Sequence, residues 1–330
     1  MSNEDRESLI VQSFKQGSVQ GIEEEGLLPE YIETQISHLF LFPETVYKIS
    51  KRSNIFFNEH FRDLSDAEER FSFYKSDFSE NQYFSPEVYL ELKYLHLQNN
   101  TVLLTSDSTD AEDILMRMKR IDVSNNLSHL LHEGNLSEDE FRGMGRTQTQ
   151  QIADCPYKPT SKEDYYTLFK RRIIDLDDWI ALAPDFITID ERSKIIASLN
   201  GYIEKQKDYF AAIDPSTYVI SIDNHSDNIF YKDNRMFFLD VYPPKEDWMT
   251  VLPWMNIYRP ATDIWLLQGE KFARAFIEGY EEHYGPLPRE SELFYLVYSA
   301  SIQAISLANQ SKAKDATIYK NFILENIEMI

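Results

Sequence analysis

The stretch Ser221-Ile222-Asp223-Asn224-His225-Ser226-Asp227-Asn228, followed by Met236-Phe237-Phe238-Leu239 and then Asp240, constrains this chain more than any other. An Asp stands five residues before an Asn, and a second Asp closes the next apolar run. Tyr218 to Ile222 reads as a strand entering a loop. Ile229-Phe230-Tyr231 and Met236 to Leu239 are apolar runs joined by Lys232-Asp233-Asn234-Arg235, a turn composition that predicts a hairpin. That hairpin is expected to return Asp240 beside Asn228. Two oxygen donors from separate segments suit a magnesium ion whose other ligands are phosphate oxygens and water, leaving Asp223 to meet a substrate hydroxyl as a base. Loop Asp and Asn residues also make simple Asx turns, so the succession of strand, loop, hairpin and Asp carries the reading rather than the Asp–Asn pair.

Upstream, Val46-Tyr47-Lys48-Ile49-Ser50-Lys51 alternates like a half-buried strand, expected to be the third, with Lys48 on one face. There it can pair with nucleotide phosphates; a lysine facing water is the plain alternative. No G-x-G-x-x-G precedes it, so a phosphate-covering hairpin is expected within His38 to Glu44, turning near Pro43.

These residues resemble the aminoglycoside phosphotransferase and choline kinase superfamily, whose catalytic loop reads H-G-D-x-H-x-x-N and whose metal strand ends in a hydrophobic residue and Asp. Asp223, His225, Asn228 and Asp240 match that pattern, and Ser221-Ile222 stands where the family has H-G. The chain also resembles a bacterial phosphotransferase-like module, found alone or fused to a P-loop kinase domain, that carries Y-K-x-x-K and then E-L-x-L-N-R-R-L-x-P. Tyr47 to Lys51 and Asp77 to Pro86 correspond here, and the resemblance spans about residues 36 to 280. It implies an α+β, bilobal protein kinase-like fold, with a small N-terminal lobe of antiparallel sheet plus helix and a larger, mainly helical C-terminal lobe. The lobes are expected at 1–120 and 121–330, joined by a hinge near Met118 to Asp122. The resemblance further implies ATP held by Lys48, Asp77 and Met118, Mg2+ held by Asn228 and Asp240, and Asp223 as catalytic base. Glu80, one turn beyond Asp77, competes to hold the lysine. His225 is implied as a loop brace and Asp263 as a tie on the catalytic loop, with an N-cap or first-turn acid as the plain reading of Asp263.

At 330 residues, with 42% apolar content, 21 Phe and 20 Tyr, the chain can fill two cores. Its net charge of −22 offers no basic stripe and argues against nucleic acid as a partner. The acidic field either draws in a cationic acceptor or is a solvated surface that aids solubility. No run of eighteen apolar residues and no signal-peptide pattern is present, so no membrane association is expected. Cys155 is the sole cysteine, which precludes an intrachain disulfide and fits a cytoplasmic setting.

In the second lobe, Ser137-x-x-Glu140 and Thr188-x-x-Glu191 read as capping boxes. Thr147 to Lys162 is expected to be irregular, and further helices are expected over Ala261 to His283, Arg289 to Leu307 and Ala313 to Ile327. Trp248 and Trp254 are read either as lining a pocket or as core. The residues thus point to ATP-dependent phosphoryl transfer to a hydroxyl of a small molecule, with a nucleotide-binding pseudokinase as the alternative. A protein kinase is disfavoured, because Val241-Tyr242-Pro243-Pro244 leads straight into Lys245-Glu246-Asp247-Trp248 without an A-P-E-type segment.

Overall fold

The computed structural model describes residues 2–310 and 312–330. The chain divides into two compact units. One runs to Asp122 and takes in Leu239–Lys245; the other comprises Val123–Phe238 and Glu246–Ile330. The segment carrying Asp240 therefore belongs to the first unit, a return crossing that a single cut near residue 120 does not anticipate.

The first unit contains α1 (Asn3–Lys15), β1 (Glu30–Glu33), β2 (Ser37–Leu41), β3 (Thr45–Ser50), α2 (Ile55–His60), α3 (Ala67–Phe84), β4 (Tyr89–Gln98), β5 (Thr101–Thr105) and β6 (Asp113–Lys119). Among the described residues the strands form one antiparallel sheet of order β1-β2-β3-β6-β4-β5. Successive side chains of β3 point to opposite faces. Tyr47 and Ile49 join the apolar core built with Ile10, Val11 and Phe14 of α1. The alternate residues, including Lys48 and Ser50, take the other face, where the Tyr74 hydroxyl of α3 donates to Ser50 Oγ at 2.9 Å. Glu7 ties α1 down by accepting the backbone N–H of Arg52 at 2.7 Å and facing His38 Nε2 at 3.0 Å. Buried Asp113 at the start of β6 bridges two buried arginines, Arg52 beyond β3 at 2.6 Å and Arg70 of α3 at 2.8 Å. Strand and helix are thereby fixed to one charge, whose removal would strand two buried cations.

The second unit contains α4 (Leu127–Glu133), α5 (Glu138–Ala153), α6 (Tyr165–Ala181), α7 (Ile189–Lys205), α8 (Lys207–Ala211), β7 (Val219–Ile220), β8 (Ile229–Lys232), β9 (Arg235–Phe238), β10 (Thr250–Val251), α9 (Pro253–Gln268), α10 (Glu270–Tyr284), α11 (Glu292–Asn309) and α12 (Ala313–Asn326). Both capping boxes form, at α5 and α7. The hairpin β8–β9 forms with Asp233 and Asn234 both in the left-handed region, φ 50 and 59, which suits a two-residue turn. Phe169 of α6 centres the aromatic core, with the rings of Phe210, Phe294, Tyr295 and Tyr298 at 4.9–6.4 Å. No helix among the described residues is long and apolar enough to cross a membrane.

Three sequence expectations are corrected here. Thr147 to Ala153 is not irregular but the end of α5, because Gln148, Thr149 and Ile152 are buried on its inner face. The expected helix over Ala261 to His283 is two helices: α9 begins earlier, with Pro253 at its first position, and Gly269 at φ 106 separates it from α10. The strand expected over Tyr218 to Ile222 shrinks to β7, since its antiparallel partner β10 has only two residues.

Helices α5 and α10 approach so closely that glycine is required on both. A Cβ on Gly145 would lie 2.0 Å from the Phe276 carbonyl oxygen, and one on Gly279 would lie 2.1 Å from that of Arg142. Ion pairs Arg142–Glu278 at 2.7 Å and Arg146–Glu282 at 2.6 Å flank the contact. Gly279→Ala is therefore expected to destabilise the fold by about 1–3 kcal/mol in urea unfolding. Gly143→Ala, on the same α5 but with open space around it, is expected to be neutral or stabilising by up to about 1 kcal/mol. Equal effects from the two substitutions would refute the close-contact account.

Candidate active site

In the second unit the loop after β7 is held by side chains from elsewhere in the chain. Asn256 of α9 acts as a short neighbouring strand: its Oδ1 accepts the Ile222 N–H at 3.1 Å and its Nδ2 donates to the Ile220 carbonyl at 2.8 Å. The Asn224 amide in turn donates to the Asn256 carbonyl at 2.5 Å. Asp263 accepts the Ser226 N–H at 2.7 Å and the Tyr319 hydroxyl of α12 at 2.9 Å. Burial raises the Asp263 pKa, with the Ser226 N–H and the charge of Arg259 pulling the other way. Asn126, which caps α4, donates to the Asp227 carbonyl at 2.7 Å.

Within this frame Asn228 Nδ2 donates to the Asp223 carbonyl at 2.8 Å, closing the five-residue turn. Asp223 keeps 40% of its side chain exposed while Asn224 and Asp263 are buried, so the Asp223 carboxylate reaches solvent. Its Oδ1 accepts from Arg259 at 3.3 Å. Buried His225 stands 3.9 Å from both Asp223 Oδ2 and Asp227 Oδ2. Asp263 lies in the middle of α9, not at its N-cap, so its role is the tie on Ser226.

In the first unit, Lys48 lies on β3, paired across the sheet with Leu39 and Met116. Its ammonium ion-pairs with Asp240. Burial alone would lower the lysine pKa, but the charges of Asp240 and Asp77 outweigh it and raise the value. Asp240 is half-exposed and adopts φ 53, a left-handed conformation that disfavours a non-glycine residue. Two contacts hold it there. The Tyr89 hydroxyl accepts the Asp240 N–H at 2.9 Å, and Asn81 Oδ1 of α3 accepts the Val241 N–H at 3.0 Å. Asn81 also donates to Asp77 Oδ1 at 2.5 Å. Asp77 thus faces Lys48 through its charge and links to the Asp240 segment through Asn81, whereas the lysine's ion-pair partner is Asp240. Met118 is buried on β6 between Val46 and Tyr89. The turns before Lys48 are tight and free of glycine: Thr34 to Ile36, where Ser37 N–H bonds Thr34 Oγ1 at 2.9 Å, and Phe42 to Glu44, where Phe42 N–H bonds the Thr45 carbonyl at 2.8 Å.

The structure therefore groups Lys48, Asp77, Met118 and Asp240 in one unit and Asp223 with Asn228 in the other. Sequence reasoning missed Asn256, Arg259, Tyr319, Asn126, Tyr89 and Asn81. One signal was available: Asn256, Arg259 and Asp263 recur at helical spacing in an otherwise apolar stretch. Trp248 is a packed residue, its ring 4.6 Å from that of Trp179 and its Nε1 donating to Asp175 at 2.7 Å. Trp254 packs edge-on to Tyr295.

Comparison with known proteins supports the architecture. No protein-family model matches the chain, and no curated protein does. Solved structures match at full length. A thermostable mutant of aminoglycoside phosphotransferase APH(4)-Ia, in its apo form, superposes with a TM-score of 0.53 at 15% identity, covering 93% of this chain and 97% of that one. The gentamicin–APH(2")-IIa complex gives a TM-score of 0.51 at 16% identity, covering 98% and 96%. The chain has the bilobal, α+β protein kinase-like fold that these phosphotransferases share.

Burial pushes the carboxyls of Asp77 and Glu80 up to about 7 each, with each further raised by a neighbouring acid, Asp240 for the first and Asp77 for the second. Both values exceed the unfolded ones, so the folded state binds more protons near neutrality. This contribution is full below about pH 4 and is lost as pH rises through 7. Urea unfolding is expected to show stability falling between pH 5 and pH 8, and Glu80→Gln is expected to remove about 2–3 kcal/mol of that fall. An unchanged slope in the variant would count against the assignment.

Proposed function

We propose that this protein is an ATP-dependent phosphotransferase acting on a hydroxyl of a small molecule. The observation that carries the reading is the half-exposed Asp223 carboxylate, on a turn closed by Asn228 and held rigid by side chains of α9. Lys48 and Asp240 are the companion elements in the first unit. In the proposed reaction Lys48 binds the nucleotide phosphates. The substrate hydroxyl gives its proton to Asp223 as its oxygen bonds to the γ-phosphorus, and the bond to the bridging oxygen breaks, its electron pair leaving with ADP. Asp240 and Asn228 supply oxygen donors of the kind a hard divalent cation takes, and Mg2+ held there would neutralise phosphate charge. Asp77 sets the charge around Lys48 together with Asp240, and Met118 is assigned to the nucleotide side of β6. Polyhydroxylated amines of the gentamicin kind are the first acceptors to examine.

A second reading, a nucleotide-binding pseudokinase acting as sensor or scaffold, is favoured by the glycine-free turns before Lys48. Turnover separates the two.

Thermal unfolding with ATP alone, Mg2+ alone and both tests the site. At a hundred times Kd the pair is expected to add roughly 2.7 kcal/mol to wild type. The shift is expected to need both ligands and to vanish in Asp240→Ala, while Asp223→Asn keeps the shift but loses phosphoryl transfer. No shift at millimolar Mg·ATP, or transfer surviving in Asp223→Asn, would overturn the proposal.

A further inference from the structure

Among the described residues one cation, Arg259, donates to the assigned base, and the loop's backbone does not depend on it. Arg259 lies on α9 four residues before Asp263, so both project from one helix face. Its guanidinium donates to Asp223 Oδ1 at 3.3 Å and reaches the Ser299 carbonyl at 3.5 Å, with only 15% of the side chain exposed. The loop's own N–H and carbonyl groups are served by Asn256, Asp263, Asn126 and Asn228. Placing a guanidinium in a largely buried position carries a desolvation cost; here the charge of buried Asp263 acts on it, and the carboxylate it donates to is that of Asp223.

The two oxygens of Asp223 are thereby made unequal. Oδ1 is engaged by Arg259. Oδ2 has His225 Nε2 at 3.9 Å, too long for a hydrogen bond. The terminal torsion of an aspartate is soft and roughly two-fold, so an unheld carboxylate would exchange its oxygens freely. We infer that Arg259 is a positioning residue that locks the Asp223 carboxylate with Oδ1 engaged and Oδ2 presented to the acceptor hydroxyl. This rests on the reading of Asp223 as base. Lysine offers a point charge without the planar fork and holds the same carboxylate less well.

The test uses the full chain as wild type, Arg259→Met and Arg259→Lys, with Mg·ATP and water as acceptor, following ADP release and thermal unfolding. Arg259→Met is expected to lower kcat about 10- to 100-fold, the scale of a misplaced catalytic group, with KM for ATP within about twofold of wild type. Arg259→Lys is expected to recover part of the loss, and low-millimolar guanidinium to raise the rate of Arg259→Met alone. Unchanged kcat in Arg259→Met overturns the inference, as does a loss in kcat matched by a rise in KM, which would mark a nucleotide contact. If Arg259→Met does not fold, Arg259→Lys decides: an unchanged kcat overturns the inference, and a lower kcat at constant KM supports it. A wild type that is stabilised by Mg·ATP but releases no ADP either with water or with hydroxyl acceptors such as polyhydroxylated amines overturns the enzyme reading, and this inference with it.

Discussion

One face of one helix determines the geometry of the loop on which the functional reading depends. Asn256, Arg259 and Asp263 follow one another at intervals of three and four residues on α9, so they line up along it. The first pairs with the backbone of Ile220 and Ile222, the second with the carboxylate of Asp223, and the third with the N–H of Ser226. A polar stripe on a buried helix is tolerable only if its groups are satisfied, and here the partners are the loop's own backbone groups and its exposed acid. Helix and loop therefore constrain each other. Removing Asp263 would leave the Ser226 N–H and the Tyr319 hydroxyl without their acceptor, which carries a larger penalty than the bonds themselves contribute.

The first unit depends on a different balance. Among the described residues, Asp240 and buried Asp77 act on Lys48, and buried Glu80 in turn acts on Asp77. Full ionisation of all three would leave an uncompensated excess of negative charge in a low-dielectric setting. Raised values for Asp77 and Glu80 relieve that excess, leaving the exposed Asp240 as the charged partner of the lysine. The left-handed backbone at Asp240 belongs to the same arrangement. It turns the carboxylate toward Lys48 while Tyr89 and Asn81 occupy the backbone N–H groups of Asp240 and Val241.

What the sequence revealed was local. The alternation of Val46 to Lys51 placed Lys48 on the third strand, and Asp233-Asn234 marked a turn whose two residues both need positive φ. The Ser137 and Thr188 boxes marked helix starts, because a cap and its third residue are close in any helix. What stayed hidden was set by distant partners. β7 is short because β10 is short, about thirty residues away. Asn256 was invisible as a brace because α9 was expected to begin at Ala261, beyond both Asn256 and Arg259, and starting the helix at Pro253 would have exposed the stripe. The choice between Asp77 and Asp240 as the lysine's partner turns on a return crossing of the chain that no periodicity reports.

Ser221 and Ile222 lead into the loop, and their backbone is held from outside it. At the positions occupied by Ser221 and Ile222, rigidity need not come from a histidine within the loop, since the Ile222 N–H is held by Asn256 and the Ser221 N–H by the Met249 carbonyl at 2.9 Å. The loop's backbone is braced by the helix and the segment beside it. That leaves Asp223 with little structural duty: it lends its backbone carbonyl to the turn, through Asn228, and among the described residues its carboxylate is met within hydrogen-bonding distance by Arg259. The same bond fixes the plane of the Asn228 amide, and so the direction in which its oxygen points. A loop whose backbone is held by other residues can present an aspartate and an asparagine at fixed angles, and fixed donors and acceptors are what phosphoryl transfer by positioning demands.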